Sequence, residues 1–468
     1  MAVKTTATRY NFILAFFVAL GSFTYGYNSS VTASVIGLPS FFSYFDIDIS
    51  STKGSSLAGA INGIYSAGGA VGCWLLSYLA DTFGRRRAIQ AICVICIVSA
   101  ALQAGSVHIA MFLVGRFING IGVGMMNAIV PMYQSESAPA SQRGRLSCGG
   151  WTARERDEEA IAILKSLHSS TDSSHGNDSP TEYQQIKSQL QLEASEGAQN
   201  LIQVLFNPRW RRRMLTGFLV QFLMQSTGIL VIFNYQILMY NSLGLTGSLP
   251  LLLLAIYNAI AAFMNWVNSL ILDRLGRIRI ITIGLAGCVI IMSCYTAMAA
   301  TYIGTDNRVG NAMGVFFIFA FMMPYAGCLD ASSYVYCAEI FPTAIRAHGM
   351  GFSVSGLFIS NIIYTQAAPT AFNNIQWKYF LVFIIVPFVG LFFFRKYCPE
   401  TKNLSIEEIA GLFGDRVIEA PDTEKMNPRG WELRKMLRRH MQLFKRHHFI
   451  IGQYRMNERT RVGGDAGK

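Results

Sequence analysis

The sequence predicts an all-α polytopic membrane protein, and three observations carry that prediction. Charged residues make up 14% of the 468-residue chain, against about a quarter in a soluble domain. Hydrophobic residues make up 52%, and mean hydropathy is +0.34. Apolar runs of about 20 residues, enough to cross a bilayer as a helix, recur along the chain. So few charges cannot cover a globular surface, which excludes the soluble, disordered, collagenous and disulfide-rich secreted classes. Within lipid a single segment satisfies its own backbone only as a helix.

Ten spans are predicted, at roughly 11–33, 56–80, 88–106, 109–135, 214–240, 248–272, 279–301, 311–337, 349–370 and 377–396. The first apolar run is too long for a cleaved signal peptide and is read as a span. With the N-terminus inside, four of the 39 Lys and Arg (Lys53, Arg116, Arg308 and Lys378) lie outside or within the membrane. All the others fall on one face. That asymmetry places both termini in the cytoplasm. The net charge of +12 therefore belongs to loops and tail between apolar runs, and no nucleic-acid partner is expected.

The cysteines form no framework. Cys93 and Cys96 would sit in hydrocarbon without a His or acid nearby, and His447-His448 has no third ligand. No metal or other cofactor is expected. Gly120, Gly122 and Gly124 lie inside an apolar span, where small residues let helices approach; a dinucleotide loop would need a preceding strand.

An internal repeat organises the chain. Tyr133-x-x-Glu136-x-x-Pro139-x-x-x-Arg143 returns with the same spacing as Tyr336-x-x-Glu339-x-x-Pro342-x-x-x-Arg346. Asp81-Thr-Phe-Gly84-Arg85 returns as Asp273-Arg-Leu-Gly276-Arg277. Both motifs recur in order at the cytoplasmic ends of corresponding spans, as in a duplicated secondary transporter. The halves are unequal: six spans follow the loop and four precede it. A helix pair is missing between about Leu146 and Trp151, and losing an even number leaves every later segment on its proper side. The expected organisation is a four-span bundle at 1–145, a cytoplasmic loop at 146–213, a six-span bundle at 214–396 and a basic cytoplasmic tail at 397–468.

These residues resemble the sugar porter branch of the major facilitator superfamily, in its fungal form. Further carriers are Gly115-Arg116, Gln221-x-x-x-Gln225-x-Thr-Gly228, Glu339-Ile-Phe-Pro342, Pro399-Glu-Thr-Lys402 and Glu407-Glu408, so the similarity runs from about 12 to 415. The resemblance implies two helix bundles with a solute site between them and transport by alternating access, with no covalent chemistry. It assigns solute binding to Gln221, Gln225, Asn361, Tyr334 and Tyr235. Met224, Leu230 and Asn234 depart from the family's usual glutamine, asparagine and tyrosine, which weakens a hexose assignment.

Gating falls to charged residues at the cytoplasmic helix ends: Asp81, Arg85, Glu136, Arg143, Asp273, Arg277, Glu339, Arg346 and Glu400. Proton-coupled relatives pair a span-one aspartate with the span-four arginine. Here Gly26-Tyr27-Asn28 gives Arg116 an amide instead, which implies facilitated diffusion of a sugar or related polyhydroxylated solute. Asp330, an acid inside the eighth span, keeps proton symport open. A transport-inactive, sensor-like or incomplete gene product is the other alternative for a chain without a helix pair. Plasma membrane is the expected residence. In the tail, Leu433, Met436, Leu437, Met441 and Phe444 alternate with Arg and Lys near helical spacing, a pattern that suits anionic lipid or a solvated tail equally.

Overall fold

The computed structural model describes residues 52–137, 201–302 (246 apart), 307–342 and 345–413 (403 and 405 apart), with parts of 20–46. They belong to one compact unit extending to Val417. Among them every regular element is helical: α1 Pro39–Tyr44, α2 Thr52–Phe83, α3 Arg85–Ala104, α4 Ile109–Ser137, α5 Leu201–Phe206, α6 Pro208–Gln225 and α7 Ile229–Ser242. There follow α8 Leu249–Leu275, α9 Arg277–Tyr302, α10 Arg308–Pro324, α11 Asp330–Ile340, α12 Arg346–Asn374, α13 Val382–Tyr397 and α14 Ile406–Phe413. Arg143, the loop to 200 and the basic tail from 414 lie outside the described residues, as do the side chains of Glu136 and Asp273.

Seven stretches are long and apolar enough to cross a bilayer: α3, α4 to Tyr133, Pro208–Ser242, α8 to Leu272, α9, Arg308–Ile340 and Gln376–Tyr397. α2 and α12 are also long, at 32 and 29 residues, but less apolar. The reason is their position. They pack on each other between the halves and bury Asn62, Ser66, Ser77, Ser353, Ser360 and Thr365 in protein rather than in lipid. With the first span, whose described residues 20–31 are helical, these account for the ten expected.

Two spans expected to be continuous are broken. The 214–240 span ends α6 at Gln225 and restarts at Ile229. Between them Gly228 takes φ 96, a left-handed conformation that an L side chain enters only under strain. The 311–337 span changes at Pro324 into a π-helical turn, Tyr325–Leu329, before α11. Proline supplies no N–H to the ladder, and π turns concentrate where a helix presents functional side chains. Asn268 Nδ2 of α8 donates to the Ala326 carbonyl in this turn at 3.4 Å.

Glycine closes the packing. A Cβ at Gly120 or Gly124 of α4 would fall on the Tyr65 or Gly69 carbonyl of α2, and one at Gly122 would stand 2.7 Å from Cys96 Sγ of α3. The packing role expected of these three glycines is thereby met. By the repeat, α8 occupies the place in the second half that α2 holds in the first. α2 has an extensive interface with α12, whose first-half counterpart would follow Arg143 and is the segment the sequence lacks. α8 accordingly has no extensive first-half interface among the described residues.

Gly228→Ala is expected to destabilise the protein by about 1–3 kcal/mol. The added Cβ would also stand 2.7 Å from Met292 Cε. Thermal unfolding in detergent measures the effect, and an unchanged midpoint would contradict the assigned turn.

Candidate functional site

Amide side chains gather in the interior of the bundle. Gln221 and Gln225 stand one turn apart on α6 and are buried. Gln225 Oε1 accepts from the Tyr325 hydroxyl on the π turn at 3.3 Å. Gln221 Nε2 points at Cys337 Sγ, 3.9 Å away, and its Oε1 has no partner. α12 rises beside α6 from the same side: a Cβ at Gly217 would meet Ser353, and Tyr364 donates to Ser226 Oγ at 2.9 Å. Asn361, two turns beyond Ser353, is thus near the level of Gln225, with a buried Oδ1 that has no partner. Tyr334 of α11 accepts from Asn127 Nδ2 of α4 at 2.9 Å, a hydrogen bond between the halves.

Tyr235 lies beside Asn62 of α2. Its hydroxyl donates to the Thr365 carbonyl at 2.8 Å, and its ring packs edge-on against Phe372. In this conformation it ties α7 to α12. Sequence reasoning missed Asn62, Asn127, Gln236 and Tyr325. The signal available was the same as for Gln221: an amide within an apolar run. Asn62 Nδ2 and Gln236 Oε1 are buried without partners too. An unpartnered amide atom in a dry interior costs roughly 1–3 kcal/mol, so a set of them marks a place where polar groups of a solute or water are received.

The coupling residues separate. Asn28 Nδ2 donates to Thr24 O at 2.8 Å, within its own helix. Arg116 is buried with its guanidinium 4.3 Å above the Tyr65 ring. Among the described residues no acid pairs with it, and cation–π contact takes the place of an ion pair. Asp330 lies away from both, against Asn265 of α8.

At one end of the bundle the second-half motif residues converge. Arg277 Nε and Nη2 both bond Glu339, at 3.0 and 2.8 Å to Oε1, and Thr401 Oγ1 donates to the other oxygen. Glu400 instead accepts from the backbone N–H groups of Arg277 and Ile278, at 2.8 and 3.0 Å. The N-terminus of α9 exposes unpaired donors and positive dipole, which a carboxylate satisfies. Arg346 is buried and donates to the Phe341 carbonyl at 3.4 Å, bracing the α11–α12 elbow.

In the first half Arg85 bonds Asp81 at 3.0 Å, the i,i+4 pair at the α2–α3 corner. The second oxygen of Asp81 stands 3.7 Å from Nδ1 of His348 on α12, a contact across the halves that the sequence did not reveal. Burial pushes the His348 imidazole below its ordinary value, and Asp81 opposes that shift.

A two-part helical bundle, amides inside and charged latches at one end define a secondary carrier. The sequence model described as "Sugar (and other) transporter" matches residues 14–149 and 151–413, and the chain belongs to that family. The break between the two stretches falls where the repeat loses its helix pair. The chain is 27% identical to the MFS-type transporter criB of Aspergillus cristatus, over 85% of this chain and 92% of the relative. It is 25% identical to the MFS glucose transporter mfs1 of Aspergillus flavus, over 86% and 89%. It is 22% identical to the arabinose-proton symporter of Bacillus subtilis, over 84% and 93%. Its fold resembles the proton:xylose symporter XylE bound to 6-bromo-6-deoxy-D-glucose, with TM-score 0.70 at 20% identity, covering 87% of this chain and 99% of that one. The protein is a multi-pass membrane carrier of the major facilitator superfamily, and not an enzyme.

Glu339→Gln is expected to remove the charge-assisted pair and lower the unfolding midpoint, the pair contributing about 1.5–3 kcal/mol. Arg277→Gln in the same background is expected to add little, which a double-mutant cycle measures. For His348 the folded-state pKa lies below 6.5, so the unfolded chain binds more protons and stability falls as pH drops below about 6.5. His348→Gln is expected to lose that part of the pH dependence between about pH 7.5 and 5.5, read from melting midpoints.

Proposed function

We propose that this carrier moves a sugar or closely related polyhydroxylated solute by alternating access. The observation that carries the reading is the set of buried amide atoms without partners on α2, α6, α7 and α12: Asn62, Gln221, Gln236 and Asn361. Each amide offers a donor and an acceptor, which matches hydroxyl groups that both give and take hydrogen bonds. The named glucose, arabinose and xylose carriers among its relatives support the same class of solute. Gln225 and Tyr325 would hold the solute from the second half, and Asn127 and Asn62 from the first.

Alternating access follows from the two kinds of contact between halves. The Asn127–Tyr334 bond is at the solute level, while Asp81–His348 lies at the cytoplasmic end. Breaking the second while keeping the first would open the site inward, with Glu339, Arg277 and Glu400 holding the second-half corner as one body. The side chains of Glu136, Arg143 and Asp273 are proposed to act in the same latch. The Lys and Arg asymmetry supports cytoplasmic termini, and we place the carrier in the plasma membrane.

One observation favours a second reading. α8 is left uncovered where the repeat would give it a partner, which suits a sensor-like protein that does not transport. Uptake of radiolabelled D-glucose and D-xylose by proteoliposomes separates the two. Saturable uptake is expected, with Gln225→Ala weakening half-saturation about tenfold through one lost hydrogen bond of about 1–1.5 kcal/mol. Absence of saturable uptake for every sugar and polyol tried would leave the sensor reading standing.

A further inference from the structure

Asp330 begins α11 directly after the π turn, and its N–H bonds to the Tyr325 carbonyl. Its Oδ2 accepts from Asn265 Nδ2 of α8 at 2.8 Å. The other end of that amide, Asn265 Oδ1, is buried and has no donor. Among the described residues no Lys, Arg or His pairs with Asp330. One neutral donor is poor compensation for a carboxylate inside a membrane-spanning bundle, where uncompensated charge is costly.

A protonated Asp330 would fit the same amide better. A carboxylic acid and a primary amide pair through two bonds, amide N–H to carboxyl oxygen and acid O–H to amide oxygen. The first of these is present, and Asn265 Oδ1 is the vacant acceptor for the second. Asn265 thus supports the charged form with one bond and the neutral form with two. The site also reaches the solute position, because the π turn joins Asp330 to Tyr325, whose hydroxyl bonds Gln225.

Among the described residues the surroundings offer no competing base. α8 presents Asn265 and Asn268, α4 presents Asn127 and α6 presents Gln225, all neutral. The ionisable groups in electrostatic contact with Asp330 are Tyr325 and Tyr334. Those two are in turn in contact with Tyr25 of the first span, Tyr334 also with Cys73 of α2, and α9 brings Cys288 beside Cys328.

We propose that Asp330, held by Asn265, binds the proton that couples solute movement to a proton gradient, in place of the span-one and span-four pair. The inference rests on the carrier reading above. A proton enters from the outer solution with the solute, resides on the Asp330 carboxylate as the neutral acid, and leaves to the cytoplasm.

The test uses the full chain in proteoliposomes with radiolabelled D-glucose and D-xylose. Exchange of labelled for unlabelled sugar without any gradient reports the carrier itself. Wild-type protein is expected to exchange, to accumulate sugar up to about tenfold per pH unit imposed at one proton per solute, and to draw protons inward when sugar is added. Asp330→Asn is expected to lose accumulation and proton flux while exchange remains measurable, and Asp330→Glu to keep all three. Wild-type exchange without proton flux overturns the inference, as does gradient-driven accumulation by Asp330→Asn, or accumulation that follows a sodium gradient instead. If Asp330→Asn loses exchange as well, Asp330→Glu decides: accumulation supports the inference, and exchange without accumulation overturns it. Wild-type protein that exchanges no sugar rejects the carrier reading, and the coupling with it.

Discussion

The close contact of α2 with α4 on one side and α12 on the other sets the positions of everything else. Backbone meets backbone there because glycine supplies no side chain to hold the helices apart. A Cβ at Gly68 or Gly72 would fall on carbonyls of α4, and one at Gly351 of α12 on the Cys73 carbonyl of α2. Gly69 of α2 similarly receives the Phe358 ring of α12. In lipid, helices gain nothing from hydrophobic burial against each other, so this fit and the hydrogen bonds it permits hold the halves together. Asn127 reaches Tyr334, and Asp81 reaches His348, because this seam brings the two halves within side-chain length.

The seam also explains where polarity is tolerated. α2, α6 and α12 bury serines, threonines and amides, while the outward faces of α3, α8 and α13 carry exposed Ile97, Phe263, Trp266, Phe388 and Phe392. Many inner hydroxyls donate back to their own helix, as Ser66 does to Asn62 O and Thr365 to Asn361 O. The amides cannot all do so, and Gln221, Gln236 and Asn361 each keep a buried oxygen without a partner. The π turn extends the same logic: it shifts the helix frame so that Tyr325 meets Gln225 while Asp330 meets Asn265.

The repeat gives the two halves one plan, and its interruption makes them differ. At the second-half corner Glu339, Arg277, Glu400 and Thr401 share a network around the start of α9. The first-half corner pairs Arg85 with Asp81 and turns the spare carboxylate oxygen to α12. On the opposite flank no described residues cover α8 as α12 covers α2.

The sequence by itself determined the class, the spans and the duplicated motifs. Those follow from apolar run length and fixed spacings, which are local or periodic. It also singled out Gln221, Gln225 and Asp330 as polar side chains inside apolar runs, and Asn361 and Tyr334 through the family resemblance. The tertiary structure decided which of these act together. Tyr235 bonds a backbone carbonyl beside Asn62, Glu400 serves a helix terminus, and His348 meets Asp81. It also broke two spans, at Gly228 and after Pro324. Run length cannot register such breaks, because they involve neighbours distant in sequence: a Cβ at Gly228 would meet Met292 and Phe383, and Asn268 bonds the π turn.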